Sequence, residues 1–322
     1  MKRWLALLLT AVMLFACTLL GACEQAQETQ PTKGREPTMP RNIMQKSDPA
    51  QDDTLNILMI GSSYCYYYVE ELWGLLDAAG IKARVCNVYY SGCKLNQHYN
   101  WWVNNESKYQ FYVTDENGRK GTDNVGLEYC LAQGNWDFIS LQQSNGPIRR
   151  DGPAKHLENV ALYTDSLISY FRQEFPKVTF LWHQTWTPQI GYDRDGYKVT
   201  SAEQQRQNTA ISKEFALLIC QKYNARRVNT GEAWQIVRDG GYDNLCARLA
   251  VNNGEGDYYH DGDTGGGQYL NACVWFEVIT GQSCVGNPYT PVYTHNGQTY
   301  NLEADFIATL QNAAHEAVAS MK

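Results

Sequence analysis

The sequence lacks the patterns that identify several common classes of binding protein. Its 27 lysines and arginines are outnumbered by 34 aspartates and glutamates, and no stretch of the chain forms a basic stripe. Nucleic acid is therefore not an expected partner, because proteins that bind it carry a basic surface. The net charge of -7 also disfavours anionic polymers, whereas neutral sugars and esters would not be repelled.

The sequence also lacks the usual metal and phosphate motifs. No two cysteines have the CxxC spacing of a zinc knuckle. Asp257, Asp261 and Asp263 resemble part of a calcium loop, but the distal bidentate glutamate is missing. Three consecutive glycines at 265–267 are not followed by the Lys-Ser or Lys-Thr pair of a P-loop. We therefore expect no metal and no organic cofactor.

The N-terminus carries a long apolar run. Lys2 and Arg3 precede an uncharged stretch over residues 4–20, and small residues then lead to Cys23. Such a pattern is typical of a secretory signal rather than of a membrane span. The segment Leu-Gly-Ala-Cys that ends at Cys23 resembles a bacterial lipobox, and this resemblance implies lipidation of Cys23 after cleavage. An ordinary cleaved signal with an unrelated cysteine is the alternative.

Three parts follow from this interpretation. Residues 1–22 are predicted to be a signal peptide, residues 23–54 a polar flexible tether, and residues 55–322 one domain. The protein would then be lipid-anchored through Cys23 on the extracytoplasmic face of the cell membrane. Cysteines in an exported domain permit disulfides, and a Cys65–Cys93 bridge is one candidate.

The domain alternates short apolar strands with longer helical patterns, which predicts a parallel α/β architecture. A polar, aromatic insertion contains a hairpin turn at Asn117-Gly118. Thr200 and Glu203 have the spacing of a capping box. Strands are predicted at residues 55–60, 82–90, 136–142, 178–184 and 227–229, helices at 69–79, 156–175, 200–223, 268–280 and 302–321, and the insertion at 96–123.

Candidate catalytic residues lie at loops that would follow these strands. Ligands bind beyond the carboxyl ends of the strands in such a sheet. Gly61 permits a sharp turn there, so that Ser63 would project beside backbone N–H groups able to stabilise an oxyanion. A serine nucleophile needs a base in contact. His260 is the candidate base, and Asp257, three residues earlier, is the carboxylate that would orient it.

Four short segments, in chain order, resemble the four blocks of the SGNH (GDSL-like) hydrolase superfamily. They are I-G-S-S-Y-C, S-G-C, L-Q-Q-S-N and D-Y-Y-H. The resemblance covers residues 55–282 and is strongest to a bacterial branch of unknown function with a Gly-Asn-Ser-Phe-Ser-like first block. It implies an α/β fold of the flavodoxin-like three-layer type, with a mostly parallel sheet between helices. It also implies hydrolysis of esters, often of acetyl groups on carbohydrates.

The resemblance assigns a role to each matching position. Ser63 corresponds to the nucleophile, Asp257 and His260 to the rest of the triad, and Gly92 to the glycine whose N–H joins the oxyanion hole. Ser62 stands where the family has aspartate or asparagine.

The third block departs further from the family pattern, because it has no Gly-x-Asn-Asp. A side-chain amide is what the oxyanion hole needs, and Gln142, Gln143 and Asn145 could each supply one. Gln143 is the preferred candidate and Asn145 the next.

Together these features predict a serine esterase that acts on acyl esters, with acetyl esters of carbohydrates as the expected substrates. Two alternatives stay open: an inactive surface lipoprotein that binds carbohydrate, and an O-acyltransferase that uses the same triad. Tyrosines 64 and 66–68 and tryptophans 101 and 102 would either stack on sugar rings or fill the core. His183 is expected to bond locally, whereas His98 and His156 are expected to be solvated.

Overall fold

The first predicted strand is buried on both faces, as expected for the centre of a parallel sheet. Within Leu55–Gly61, Ile57 and Met59 point to one side, and Leu58 and Ile60 point to the other. Each pair joins a separate hydrophobic cluster, so the strand contributes to two cores. Helices are therefore required on both faces of the sheet.

The computed structural model describes residues 53–191, 193–194, 197–242, 266–295 and 298–321. The strands in these ranges are β1 (Leu55–Gly61), β2 (Ala83–Tyr89), β3 (Tyr109–Asp115), β4 (Gly118–Val125), β5 (Phe138–Gln143), β6 (Thr179–Gln184), β7 (Asp193–Arg194), β8 (Tyr197–Lys198), β9 (Arg226–Val228), β10 (Val292–His295) and β11 (Gln298–Asn301). The helices are α1 (Val69–Ala78), α2 (Leu95–Val103), α3 (Leu127–Leu131), α4 (Asn145–Asp151), α5 (Pro153–Glu174), α6 (Ala202–Tyr223), α7 (Thr230–Asp239), α8 (Gly266–Thr280) and α9 (Ala304–Ala319). A 3₁₀ turn spans Ser63–Cys65.

Seven strands form one mostly parallel sheet in the order β4-β3-β2-β1-β5-β6-β9. Strands β2, β1, β5, β6 and β9 are parallel, and β3 and β4 extend the sheet antiparallel beside β2. Helices α1, α7, α8 and α9 cover one face, and α2 to α6 cover the other. The predicted α/β three-layer fold with a mostly parallel sheet is therefore confirmed.

Both edges of the sheet are protected. Strand β4 is largely exposed, but it carries Arg119, Lys120 and Asp123. Strand β9, at the other edge, is only three residues long. Charged side chains and short strands are two devices that prevent a sheet edge from pairing with another chain.

All five predicted strands and all five predicted helices are present, with ends shifted by a few residues. The hairpin turn at Asn117-Gly118 joins β3 and β4. Gly281, with φ +70°, follows the last residue of α8. The insertion over residues 96–123 also contains most of a helix, α2, that was not predicted. Helix α7 was not predicted either.

The predicted capping box at α6 is wrong by one residue. Ser201, not Thr200, is the N-cap, and its hydroxyl accepts a hydrogen bond from Gln204 N at 3.2 Å. Thr200 instead donates through its N–H and its hydroxyl to Gln204 Oε1, at 2.7 and 3.0 Å. Both serine and threonine can cap a helix, so the sequence pattern did not distinguish the two neighbours.

The cysteines of the described ranges are free thiols. The candidate bridge is absent: Cys65 Sγ donates to Ser62 O at 3.2 Å, and Cys93 Sγ lies 3.6 Å from His98 Nδ1. Burial raises the pKa of the Cys65 thiol to about 12, so this thiol stays protonated and unreactive at neutral pH.

The signal peptide, Cys23 and all of the tether except residues 53 and 54 lie outside the described residues. Within the ranges that are described, no helix combines the length and the apolar composition needed to cross a bilayer.

The difference in exposure between two leucines predicts how strongly truncation of each side chain destabilises the fold. Leu75 on α1 is fully buried, whereas Leu217 on α6 is 48 % exposed. We expect Leu75→Ala to lower the free energy of unfolding by about 2–5 kcal/mol, because it leaves a cavity. Leu217→Ala removes the same atoms from the surface and should cost less than about 1 kcal/mol. Urea denaturation of both variants measures the difference, and equal losses would contradict the assigned packing.

Candidate functional site

Three loops meet at the carboxyl edge of the sheet because β2, β1 and β5 are parallel neighbours. They follow Gly61, Tyr89 and Gln143. The chain moves from β1 to β2 on one side and later to β5 on the other side, so the order of strands reverses between β1 and β5. Such a switch point opens a crevice beyond the strand ends, where ligands bind in open α/β sheets.

Ser63 lies in the first of these loops, as the first residue of the 3₁₀ turn, and its side chain is largely buried. The loop passes close to β5: a Cβ at Gly61 would lie 2.6 Å from Gln142 Cδ. Only glycine fits this approach without displacing Gln142. The sequence-based expectation of a sharp turn at Gly61 therefore has a steric reason.

Two amide side chains from neighbouring strands hold this turn. Gln142 Nε2, on β5, donates to Ser62 Oγ at 2.7 Å. Asn87 Nδ2, on β2, donates to Cys65 O, and Asn87 is fully buried. Ser62, where the SGNH pattern has an acid or an amide, thus serves as a hydrogen-bond acceptor beside Ser63. Asn87 was not predicted as part of the site, because a polar residue within a strand gives no local signal of its hydrogen-bond partner.

Gly92 lies in the second loop with φ +67°, a left-handed conformation that glycine adopts without strain. A Cβ there would meet nothing within 4 Å, so the requirement is conformational rather than steric. Tyr90 N donates to Gly61 O at 3.3 Å and so joins this loop to the first one. Within the loop, Cys93 N donates to Tyr90 O at 3.1 Å.

The three candidate amides lie at the end of β5 and at the start of α4, and their surroundings differ. Asn145 is bound on both ends: its Nδ2 donates to Thr185 O at 3.2 Å, and its Oδ1 accepts from Thr185 Oγ1 at 3.2 Å and Ser212 Oγ at 2.8 Å. Gln142 has its nitrogen on Ser62. Gln143 is buried, and its Oε1 has no hydrogen-bond partner among the described residues. Gln143 is thus the amide with no structural role evident in this part of the chain.

Asp257 and His260 lie outside the described residues, so the contact between Ser63 and its predicted base stays a prediction.

Three of the described histidines, His183, His98 and His156, are engaged in local contacts away from Ser63. His183 is buried, and its Nε2 lies 2.9 Å from Thr230 Oγ1, as the local-bonding interpretation predicts. Burial lowers its pKa to about 3. The expectation that His98 and His156 are solvated is wrong. His98 stacks on Tyr109 and bonds its hydroxyl at 2.9 Å, and His156 Nδ1 lies 2.9 Å from Asp151 Oδ2.

The aromatic residues near the first block divide between core and rim. Tyr68 and Trp102 are buried, which confirms the core interpretation for these two. Tyr66 is half-buried, and its ring centroid lies 4.3 Å from that of Tyr89 and 5.2 Å from that of Tyr112. A ledge of tyrosine rings thus lies beside the Ser63 turn, formed by the loop and by β2 and β3.

No group of three or more histidine, cysteine, aspartate or glutamate side chains in the described ranges is arranged to hold a metal ion.

Comparison with known proteins gives a family but not an activity. No curated protein matches the chain significantly. A DUF4886 family protein from Bacteroides uniformis ATCC 8492 has a crystal structure that matches with a TM-score of 0.68 and 25 % identity, covering 83 % of this chain and 95 % of that one. A protein described as a GDSL-like lipase, from Parabacteroides merdae ATCC 43184, matches with a TM-score of 0.43 and 16 % identity, covering 70 % of this chain and 94 % of that one. A score this low supports no inference about this chain.

The model of the DUF4886 family, described as a domain of unknown function, matches residues 56–317, which include every strand of the central sheet except the first residue of β1. The chain therefore belongs to the DUF4886 family.

Proposed function

We propose that the protein is a serine esterase of the SGNH type, with Ser63 as the nucleophile. One observation carries the proposal: a serine lies on a tight turn at the switch point of the sheet, clamped by amides from both neighbouring strands. Gly92 follows β2, and Gln143 is the last residue of β5. Nucleophile and candidate oxyanion donors therefore share one edge of the sheet, which acyl transfer requires.

The reaction is a double displacement at an ester carbonyl. Ser63 Oγ attacks the carbonyl carbon while His260 takes its proton, and Asp257 orients the imidazole and stabilises its charged form. The C–O bond to the alcohol then breaks, and His260 returns the proton to that alcohol. Water attacks the acyl-enzyme in the same way, releases the acid and restores Ser63. This sequence needs no metal and no organic cofactor.

The negative charge of the tetrahedral intermediate would be held by the N–H groups of Ser63 and Gly92 and by one side-chain amide. The contacts favour Gln143 for that amide. Gln142 and Asn145 both donate their NH₂ groups to protein acceptors, so recruiting either would break a bond that holds the fold. Cys65, two residues from Ser63, does not compete as the nucleophile because its buried thiol stays protonated.

The proposed substrates are esters of small acyl groups, with acetyl groups on carbohydrates as the preferred class. Within the ledge formed by Tyr66, Tyr89 and Tyr112, the guanidinium of Arg119 covers the rings of Tyr66 and Tyr112. Tyr89 is therefore the ring that supports a sugar, since aromatic faces pack against such rings. The acidic composition favours a neutral substrate. The proposal includes a lipid anchor at Cys23 and a location on the extracytoplasmic face of the cell membrane, which the lipobox-like sequence supports.

Replacing the nucleophile tests the mechanism directly. We expect Ser63→Ala to lower kcat/KM for p-nitrophenyl acetate by at least about 10³-fold, because no second nucleophile is activated at this edge. Ser62→Ala is the matched control: it loses the bond from Gln142 but keeps the nucleophile and the Asn87 bond to the same turn, so its loss should be at least about tenfold smaller than that of Ser63→Ala. A fluorophosphonate probe should label the wild type and Ser62→Ala but not Ser63→Ala. Equal rates in the wild type and Ser63→Ala would exclude the mechanism.

Two amide variants separate catalysis from folding. Gln143→Ala should reduce kcat by roughly 10²–10³-fold, as expected for loss of an oxyanion donor, and should lower the melting temperature less than Asn145→Ala does, because its side-chain oxygen has no partner to lose among the described residues. Asn145→Ala should instead reduce the free energy of unfolding by about 1–3 kcal/mol, because Thr185 and Ser212 lose their partner. Steady-state kinetics and thermal denaturation of both variants give the comparison. The reverse pattern would move the oxyanion role to Asn145.

A further inference from the structure

A cavity lies beside α1, and several residues of that helix line it. Its volume is about 620 Å³, and it is enclosed by α1, the turn between β3 and β4, and the segment around residues 289–293. Neither Ser63, Gly92 nor Gln143 lines it. The strand register places Thr114 beside Val85, so the β3–β4 turn lies at the amino end of β2, opposite the catalytic edge. The cavity therefore shares no lining residue with the described part of the proposed esterase site.

Four aromatic side chains line this cavity: Tyr67, Trp73, Tyr289 and Tyr293. Tyr289 reaches it because residue 74 is a glycine; a Cβ there would lie 2.2 Å from Tyr289 Cε2. Trp73 is fixed by its indole N–H, which donates to Ala83 O at 3.2 Å. Aromatic faces attract cations through the ring quadrupole, and they also provide apolar area for a carbon skeleton.

Four carboxylates also line the cavity: Glu70, Glu71, Asp115 and Glu116. Within the described part of the chain, no lysine, arginine or histidine is among the lining residues. Arg119 approaches from outside, 3.6 Å from Glu70, with its guanidinium over neighbouring tyrosine rings. One of the four acidic side chains, Glu70, is thus paired, and the others favour a positively charged occupant, with Glu71 contributing its charge once it is deprotonated.

Two buried polar atoms of the lining lack partners. Glu71 is 6 % exposed and Thr114 is 2 % exposed. Glu71 Oε2 and Thr114 Oγ1 have no hydrogen-bond partner among the described residues. A buried polar atom without a hydrogen bond raises the free energy of the folded protein. Hydrogen bonds from the N–H donors of a ligand would remove this cost, which favours binding of such a ligand here. This observation is independent of the cluster of acids.

We propose that this cavity binds a small organic cation bearing a primary ammonium group. The ammonium would donate to the Glu71 carboxylate and the Thr114 hydroxyl, and the carbon skeleton would pack on the tyrosine and tryptophan rings. A charge-assisted hydrogen bond to a buried carboxylate is among the strongest available to a protein. A bare divalent cation fits less well, because the described acidic side chains are not grouped as metal ligands.

Ligand binding should be linked to proton release. Burial, together with the nearby charge of Glu70, raises the pKa of Glu71 to about 8. This rise in pKa is reduced in part by a backbone hydrogen bond to the carboxyl, by the charge of Arg119 and by a hydrogen bond with Tyr293. Asp115 and Glu116 face the same cavity from the β3–β4 turn. Below pH 8 the carboxyl must lose its proton to pair with the ammonium, whereas an alkyl ammonium stays charged up to a pH of about 10. Affinity should therefore rise about tenfold from pH 6 to pH 7 and level off above pH 8.

The test is isothermal titration calorimetry of the full chain with 1,5-diaminopentane and with 1,5-pentanediol, a neutral molecule of similar length. We expect saturable binding of the diamine and at least tenfold weaker binding of the diol. Glu71→Gln should weaken diamine binding by roughly tenfold or more and abolish the pH dependence. Glu116→Gln, at an exposed position of the β3–β4 turn, should weaken it two- to threefold. Glu158→Gln, on the opposite face in α5, is the charge-matched control and should bind within twofold of the wild type.

Several results would overturn the proposal. Equal binding of diamine and diol would indicate a site for neutral hydroxyl compounds, and displacement of the diamine by millimolar Ca²⁺ or Mg²⁺ would indicate a metal site. Absence of saturable binding up to 10 mM, or unchanged affinity in both Glu71→Gln and Glu116→Gln, would exclude an ammonium site. Hydrolysis of p-nitrophenyl acetate by Glu71→Gln should equal that of the wild type, so failure here leaves the esterase proposal unaffected.

Discussion

The bond from Gln142 Nε2 to Ser62 Oγ is the constraint on which the candidate active site depends. It joins the loop after β1 to the end of β5, two strands that are adjacent in the sheet but 80 residues apart in the chain. Gly61 makes this contact sterically feasible, and Asn87 holds the other end of the same turn from β2. The nucleophile is thereby fixed relative to both neighbouring strands rather than to its own segment. Preorganisation of this kind is what allows an acyl-transfer site to act without rearranging.

Local patterns in the sequence were sufficient for the predicted strands and helices and for Gly61. The apolar run before Gly61 predicted a strand, and the turn chemistry of Gly61 predicted a loop at its carboxyl end, whereas the family resemblance assigned Gly92. These are short-range signals, since a buried strand or a left-handed turn is encoded within a few residues. The reversal of strand order that brings β1 and β5 together is a property of the whole sheet. It followed from the family resemblance rather than from any single segment.

The partners of individual polar side chains were beyond local patterns. Asn87, Thr185 and Ser212 give no signal in the sequence, because their roles depend on register across strands and on a helix packed from another layer. The same reason explains the error on His98 and His156. Both stand in polar stretches, yet tertiary packing buries them, and burial lowers the pKa of each imidazole. Polarity of neighbours in sequence is a weak guide to exposure when those neighbours point to other faces.

The two ends of the sheet limit how copies of this protein can associate. Strand β4 carries the positive side chains Arg119 and Lys120 and the negative side chain Asp123, and β9 offers only three residues for pairing. A second molecule approaching either edge would find mismatched charge or too short a ladder to bind stably. If many copies were crowded onto one surface, this arrangement would keep them as separate molecules and prevent them from polymerising strand by strand into fibrils.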